Sequence, residues 1–314
     1  METGREHFKK FLDGEPAQRP AFVPLIRGLV ARTEGILRQS LTSDPTLWAN
    51  SLMKAAALFD FDAVVAGYDF SLLAEACGCR ISWEDDRPVV CGLPEAFNEC
   101  PEACGSLQHA LEATKRVFDS CRKERGCVAA LTGPVTLAAQ LYGEAWLSRI
   151  GDVKAHIVPM LEAYCTTRPD AIIFMEGPSL GQGKLSIPHR KIYNTLKNIT
   201  AYYGIPSGLY LEGYPPEGVR QFSALQMEFY ILGLSAAHTM ASLPDLVTLA
   251  DGAVGFGLGL PFDDRDQAGQ LIEQGSKLHA QGVKFFFTSL GPLTRDVDLD
   301  MLHTLIGKIK ALAS

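Results

Sequence analysis

Eight short apolar runs punctuate the chain, at residues 21–27, 63–69, 127–133, 171–177, 208–213, 229–234, 252–260 and 283–289. Most are apolar at nearly every position rather than at alternate ones, the pattern of strands covered on both faces of a parallel sheet. Stretches with helical periodicity lie between them, at 45–59, 107–121, 136–150, 153–166, 188–203, 264–281 and 297–312. Asp44 followed by Pro45 makes a sound helix start, an N-cap acceptor and then a proline in the first turn. Eight strands alternating with helices predict a (β/α)8 TIM barrel. Residues 80–91 interrupt the rhythm, and their two β-like halves around Glu84, Asp85 and Asp86 predict a rim hairpin after strand two. No linker rich in Pro, Gly or Ser divides the chain, so residues 1–314 read as a single domain with a helical N-terminal extension over 1–20.

Three of the runs carry an acid at their last or next-to-last position: Asp69, Glu176 and Glu212. An unpaired carboxylate is costly to bury at the end of a core strand, and in a barrel the C-terminal ends of the strands converge on one mouth. The three acids are therefore expected to face one cavity. Arg27 and Arg32 after strand one, Tyr68 beside Asp69, Tyr210 and Tyr214 around strand five, His238 after strand six and Gly257 on strand seven join them as candidates for the same mouth.

Each candidate also has a structural alternative. Glu176 and Glu212 could cap the following helix or pair with Arg27. Arg27 could pair with Asp69, or bind a carboxylate or phenolate of a substrate. His238 could be a surface or helix-capping histidine, and Tyr210 and Tyr214 read as pocket walls. Gly255, Gly257 and Gly259 lack the strand–turn–helix setting of a dinucleotide loop; alternating glycines in a strand let a ligand or a neighbouring backbone approach closely.

Composition excludes several classes of partner. A net charge of -7 and a pI near 5.5 argue against nucleic acid or an anionic membrane. No apolar run is long enough for a membrane span, and the first residues lack the apolar core of a signal peptide. A cytoplasmic protein is expected, its eight cysteines reduced and mostly buried.

The segments Arg-Pro-Ala-Phe-Val-Pro-Leu-Ile-Arg (19–27), Tyr-Asp-Phe-Ser-Leu-Leu-Ala-Glu-Ala-Cys-Gly (68–78), the hairpin after it, and Leu-Thr-Gly-Pro-Val-Thr-Leu (131–137) follow one order. That order resembles the uroporphyrinogen decarboxylase superfamily. The resemblance implies a distorted TIM barrel and either of two chemistries: cofactor-free decarboxylation of uroporphyrinogen, or methyl transfer between a small substrate and a corrinoid (cobalamin) protein. Arg27 and Asp69 match the decarboxylase pattern. However, Ala31 stands where its second arginine belongs, Gln140 where a tyrosine is expected and Pro292 where a histidine is expected. In the thiol-methylating branch a His-x-Cys pair and a later Cys bind zinc; here those positions hold Tyr210, Glu212 and Leu290.

The resemblance therefore implies a corrinoid-dependent methyltransferase that demethylates a small compound such as a methyl ether and works with a partner corrinoid protein. Asp69, Glu176, Glu212 and His238 are its expected catalytic groups. Arg27, Arg32, Tyr68, Tyr210, Tyr214 and Gly257 are expected to bind substrate, and Glu176, Glu212 and His238 to hold a zinc ion of harder ligand character. A decarboxylase, a non-catalytic tetrapyrrole binder and the homodimeric state common among similar proteins are further expectations.

Overall fold

The computed structural model describes residues 2–313. The chain opens with helices α1 (Gly4–Leu12), α2 (Gly28–Glu34), α3 (Arg38–Thr42) and α4 (Pro45–Leu58). Strand β1 (Ala63–Ala66), helix α5 (Leu72–Ala76) and the strand pair β2 (Arg80–Glu84) and β3 (Arg87–Gly92) follow. Next come α6 (Gly105–Cys121), β4 (Gly126–Thr132), α7 (Pro134–Tyr142), α8 (Trp146–Arg149), α9 (Lys154–Thr166), β5 (Ala171–Glu176), α10 (Pro178–Gly181) and α11 (Ile187–Tyr202). The last stretch holds β6 (Ser207–Leu211), β7 (Phe229–Leu232), α12 (Leu243–Leu249), β8 (Gly255–Leu260), α13 (Arg265–Ala280), β9 (Phe285–Ser289) and α14 (Leu299–Lys310).

Seven strands form one parallel sheet in the order β1-β4-β5-β6-β7-β8-β9. The predicted first strand, 21–27, joins β9 only through isolated parallel bridges at Phe22–Phe287 and Ile26–Leu293. Its irregularity has a cause in Pro24, which lacks an N–H for the ladder. The Phe22 N–H is diverted to the Asp62 carboxylate at 2.7 Å, which also receives both arms of buried Arg19 at 2.7 Å each. The TIM-barrel-like architecture thus stands, with its first strand degenerate.

The β2–β3 pair is antiparallel and lies outside the main sheet, as the interrupted rhythm predicts. Its turn residues Asp85 (φ 47°) and Asp86 (φ 61°) both take the left-handed conformation, which two-residue hairpin turns of the I′ type require and aspartate tolerates. The helix expected over 136–150 breaks into α7 and α8 at Gly143, whose φ is 53°. Residues 216–225 form a long 3-10 segment that the periodicity did not predict.

Buried side chains divide into two layers. Ile172, Phe174, Leu209 and Leu211 pack outward under the helices, whereas Ile173, Met175, Tyr210 and Phe229 point into the barrel. The N-terminal extension closes the barrel floor: Phe11 of α1 meets Phe286 edge-on at 4.8 Å and Phe229 at 6.0 Å. The glycines of β8 make room for this packing. A side chain on Gly257 would begin 2.9 Å from both Ile231 and the Phe286 ring. The space that the sequence offered to a ligand at Gly257 is therefore taken by Phe286.

Candidate functional site

The three acids have different fates, decided first by which face of its strand each occupies. Side chains alternate across a strand. Glu176 shares the parity of Ile172 and Phe174, so it faces the helices rather than the mouth. It is fully buried, and its carboxylate accepts from the Val135 N–H at 2.9 Å, the Thr136 N–H at 2.7 Å, the Thr136 hydroxyl at 2.5 Å and the Tyr193 hydroxyl. This caps the first turn of α7, where the helix dipole favours a negative charge. Burial pushes the Glu176 carboxyl up, and those four donors oppose the shift. The capping alternative describes Glu176, and its expected metal and catalytic roles have no free oxygen lone pairs to rest on.

Asp69 lies three residues beyond the end of β1, past a turn at Gly67 (φ 82°). It is 3% exposed. One oxygen accepts from the Ser71 N–H at 2.9 Å and the Ser71 hydroxyl at 2.8 Å, and the other pairs with Arg38. Arg38, not Arg27, is thus the partner of Asp69. The Asp86 side chain accepts the Arg38 backbone N–H at 2.8 Å, and the Asp86 carbonyl accepts from its guanidinium at 3.3 Å. The rim hairpin therefore holds Arg38, and Arg38 holds Asp69. Burial pulls the Arg38 guanidinium down from its usual range while Asp69 pushes it back up. No periodic or motif signal distinguished Arg38 from any other helical arginine.

Glu212, with the parity of Gly208 and Tyr210, faces the barrel mouth. It is half-buried and accepts a 2.8 Å hydrogen bond from the Tyr210 hydroxyl. Burial and the adjacent Glu212 hold that phenol protonated well above the usual tyrosine range. Glu212 lines a cleft of about 560 Å³ bounded by residues 260–263 and 289–298, within the size range of small-molecule sites.

Tyr68 belongs to the same inward-facing layer as Tyr210. Its ring is buried, its hydroxyl has no hydrogen-bond partner, and Arg27, Arg38, Asp69 and Glu212 all act on it electrostatically. Arg27 is half-buried and sits with Tyr68 and Asp69 around a small pocket of about 30 Å³. No ion pair or side-chain hydrogen bond engages Arg27 among the described residues.

Other candidates lie away from this group. The Tyr214 hydroxyl is spent on the Gly233 carbonyl at 3.1 Å, and its ring packs in the outer layer. His238 is exposed in a turn with φ 54°. Arg32 donates to the Arg295 carbonyl at 3.0 Å and to that of Val297, tying α2 to the loop that walls the cleft. One terminal nitrogen of its guanidinium is thus committed to that loop. Arg32→Met is expected to cost about 1 kcal/mol of stability and to raise KM more than it lowers kcat, measurable by denaturant titration and steady-state kinetics.

The residues do not fit the expected zinc ion. Glu176 has its oxygens filled, His238 points from an exposed turn, and among the described residues no three His, Cys, Asp or Glu side chains are grouped so as to hold a metal.

The ordered motifs thus sit together: the segment 19–27, the Asp69 turn with its hairpin, and the 131–137 stretch that Glu176 caps. Residues 3–149 match the uroporphyrinogen decarboxylase (URO-D) family. The resemblance read from the motifs is borne out over this URO-D region, which contains Arg27, Arg38, Tyr68 and Asp69. Over the whole length, the chain resembles a methyltransferase from Methanosarcina mazei, with a TM-score of 0.78, 16% identity and 100% of each chain covered. At that identity the likeness establishes the fold. A GH18 chitinase, ChiB, from Flavobacterium johnsoniae superposes with a TM-score of 0.47 at 10% identity, covering 92% of this chain and 94% of that one. No curated protein matches the sequence. Among the described residues no helix is long and apolar enough to cross a membrane.

Proposed function

We propose that this protein is a methyltransferase that takes a methyl group from a small methylated compound and passes it to a corrinoid carried by a partner protein. The observation that carries this reading over decarboxylation is the state of Asp69. A central aspartate that must bind several pyrrole N–H groups needs free acceptor capacity, whereas Ser71 fills one oxygen of Asp69 with two donors and Arg38 holds the other. The missing second arginine at Ala31 and the likeness to a methyltransferase support the same choice.

The cleft beside Glu212 has the volume of a small-molecule site and cannot enclose a corrin ring with its side chains. A corrinoid would meet the mouth from outside, on a partner, and would supply the nucleophile that accepts the methyl group. This chain's own residues bind the donor and exclude water from it. The buried Tyr210 hydroxyl, held protonated, donates to Glu212 and fixes the direction of that carboxylate at the cleft.

The test mixes the protein with reduced cobalamin and a panel of O-, S- and N-methyl compounds and follows the methylcobalamin spectrum. Transfer with at least one donor is expected, and Glu212→Gln should slow it about 10²-fold. Conversion of uroporphyrinogen to coproporphyrinogen with no methyl transfer would overturn the proposal.

A further inference from the structure

The charges around the mouth are separated. The large cleft carries Glu212, Asp263, Asp296 and Asp298 in its lining and no lysine, arginine or histidine, between apolar walls that include Leu234 and Phe262. Asp298 is spent capping α14, but Asp263 and Asp296 are exposed and no ion pair engages them among the described residues. This lining disfavours an anion and suits a cation with an apolar body.

The opposite wall has the reverse character. Tyr68 is 6% exposed, and its buried hydroxyl lacks a partner. A buried hydroxyl left unpaired costs roughly 1–3 kcal/mol, so it marks a place that a ligand or water fills. Arg27, with its guanidinium unengaged, shares that small pocket. Tyr68 and Tyr210 belong to the same inward-facing layer, the Tyr210 hydroxyl donates to Glu212, and the Arg27 backbone N–H donates at 3.4 Å to the carbonyl of Leu293 in the cleft wall, so the two walls adjoin.

We propose that the methyl donor is a zwitterion, a quaternary N-methylated amino acid, with its ammonium end beside Glu212 in the acidic cleft and its carboxylate on Arg27 and the Tyr68 hydroxyl. The inference rests on the methyltransferase reading above and names its substrate class. It also accounts for carboxylates that do not converge on a zinc site. An ether must expel an alkoxide, which needs an acid or a metal. A quaternary ammonium carries its own activation. Its C–N bond breaks with the electron pair going to nitrogen, which departs as a neutral tertiary amine, while the methyl carbon is bonded through two electrons of the partner's reduced corrinoid. No proton is consumed in that step.

Calorimetric titration of the full chain tests the assignment with four probes. Two are zwitterions of different span, trimethylglycine and carnitine; choline carries only the cation, and 4-methoxybenzoate carries an anion with a neutral ether. The tighter zwitterion is expected to bind at least about tenfold better than either singly charged probe. Arg27→Gln should remove that advantage and leave choline binding unchanged, which also shows that the variant is folded. Glu212→Gln should weaken zwitterion and choline alike. Tightest binding by 4-methoxybenzoate, no binding of either zwitterion, or wild-type zwitterion affinity in both variants would overturn the proposal. Methyl transfer from 4-methoxybenzoate without zwitterion binding would overturn it and leave the methyltransferase reading standing. A zwitterion held through Arg27 and Glu212 but never demethylated would support the recognition and remove the reading beneath it.

Discussion

Arg38→Met is expected to destabilise the protein by about 3–5 kcal/mol, because it leaves the charge of Asp69 buried without its partner. Asp69 is 3% and Arg38 8% exposed, so bulk solvent screens the stranded charge poorly. Ser71 would still donate twice to one oxygen, but the other would face an apolar methionine. The loss extends outward, since the Asp86 carbonyl in the hairpin turn also accepts from Arg38. Urea unfolding should show a lower midpoint at an unchanged slope. Adding Asp69→Asn to Arg38→Met removes the stranded charge and should recover more than half of the loss. A near-neutral single variant would mean that Asp69 does not carry a buried charge.

Glu176→Ala is expected to cost about 4 kcal/mol, the penalty for leaving several buried donors without an acceptor. Val135 and Thr136 N–H groups at the start of α7, the Thr136 hydroxyl and the Tyr193 hydroxyl all converge on this carboxylate. Gly133 is shaped around it, since a side chain there would begin 2.3 Å from the Glu176 carboxylate. Glutamine should not rescue the loss, because its NH2 group would face N–H groups that need an acceptor. Thermal and urea unfolding measure the effect. A variant as stable as the parent would contradict the capping role and reopen a functional one.

Much of the site was legible as position but not as role. The acidic ends of three strand-like runs placed Asp69, Glu176 and Glu212 near the C-terminal end of the barrel, and all three lie there. Their roles depended on the direction of each side chain. Strands buried on both faces are apolar at every position, so the run 171–176 carries no alternation to say whether Glu176 points in with Met175 or out with Phe174. An antiparallel strand with one wet face would have given that answer in its own pattern. The irregular first strand was legible in principle, since Pro24 sits within it, but the apolar residues around that proline outweighed it.

Pairing across distance was the other hidden quantity. Arg27, Arg32 and Arg38 are alike as residues, and the chain offers no local reason for Arg38 to meet Asp69 while Arg32 binds backbone carbonyls and Arg27 stays unengaged. Those outcomes depend on how α2 and α3 pack against the β1 turn, the hairpin and the loop at 295–297.

By itself the sequence determined the alternation of strands and helices, the hairpin after the second strand, the motif order of the URO-D region and the end of the barrel where chemistry is to be sought. These follow from local periodicity and composition, which act over a few residues. Only the tertiary structure decided that Glu176 is a cap, that Asp69 is neutralised by Arg38, and that Arg27, Tyr68 and Glu212 are left facing the mouth. Those distinctions arise from side-chain direction and long-range charge pairing, which come into being when distant segments are packed together.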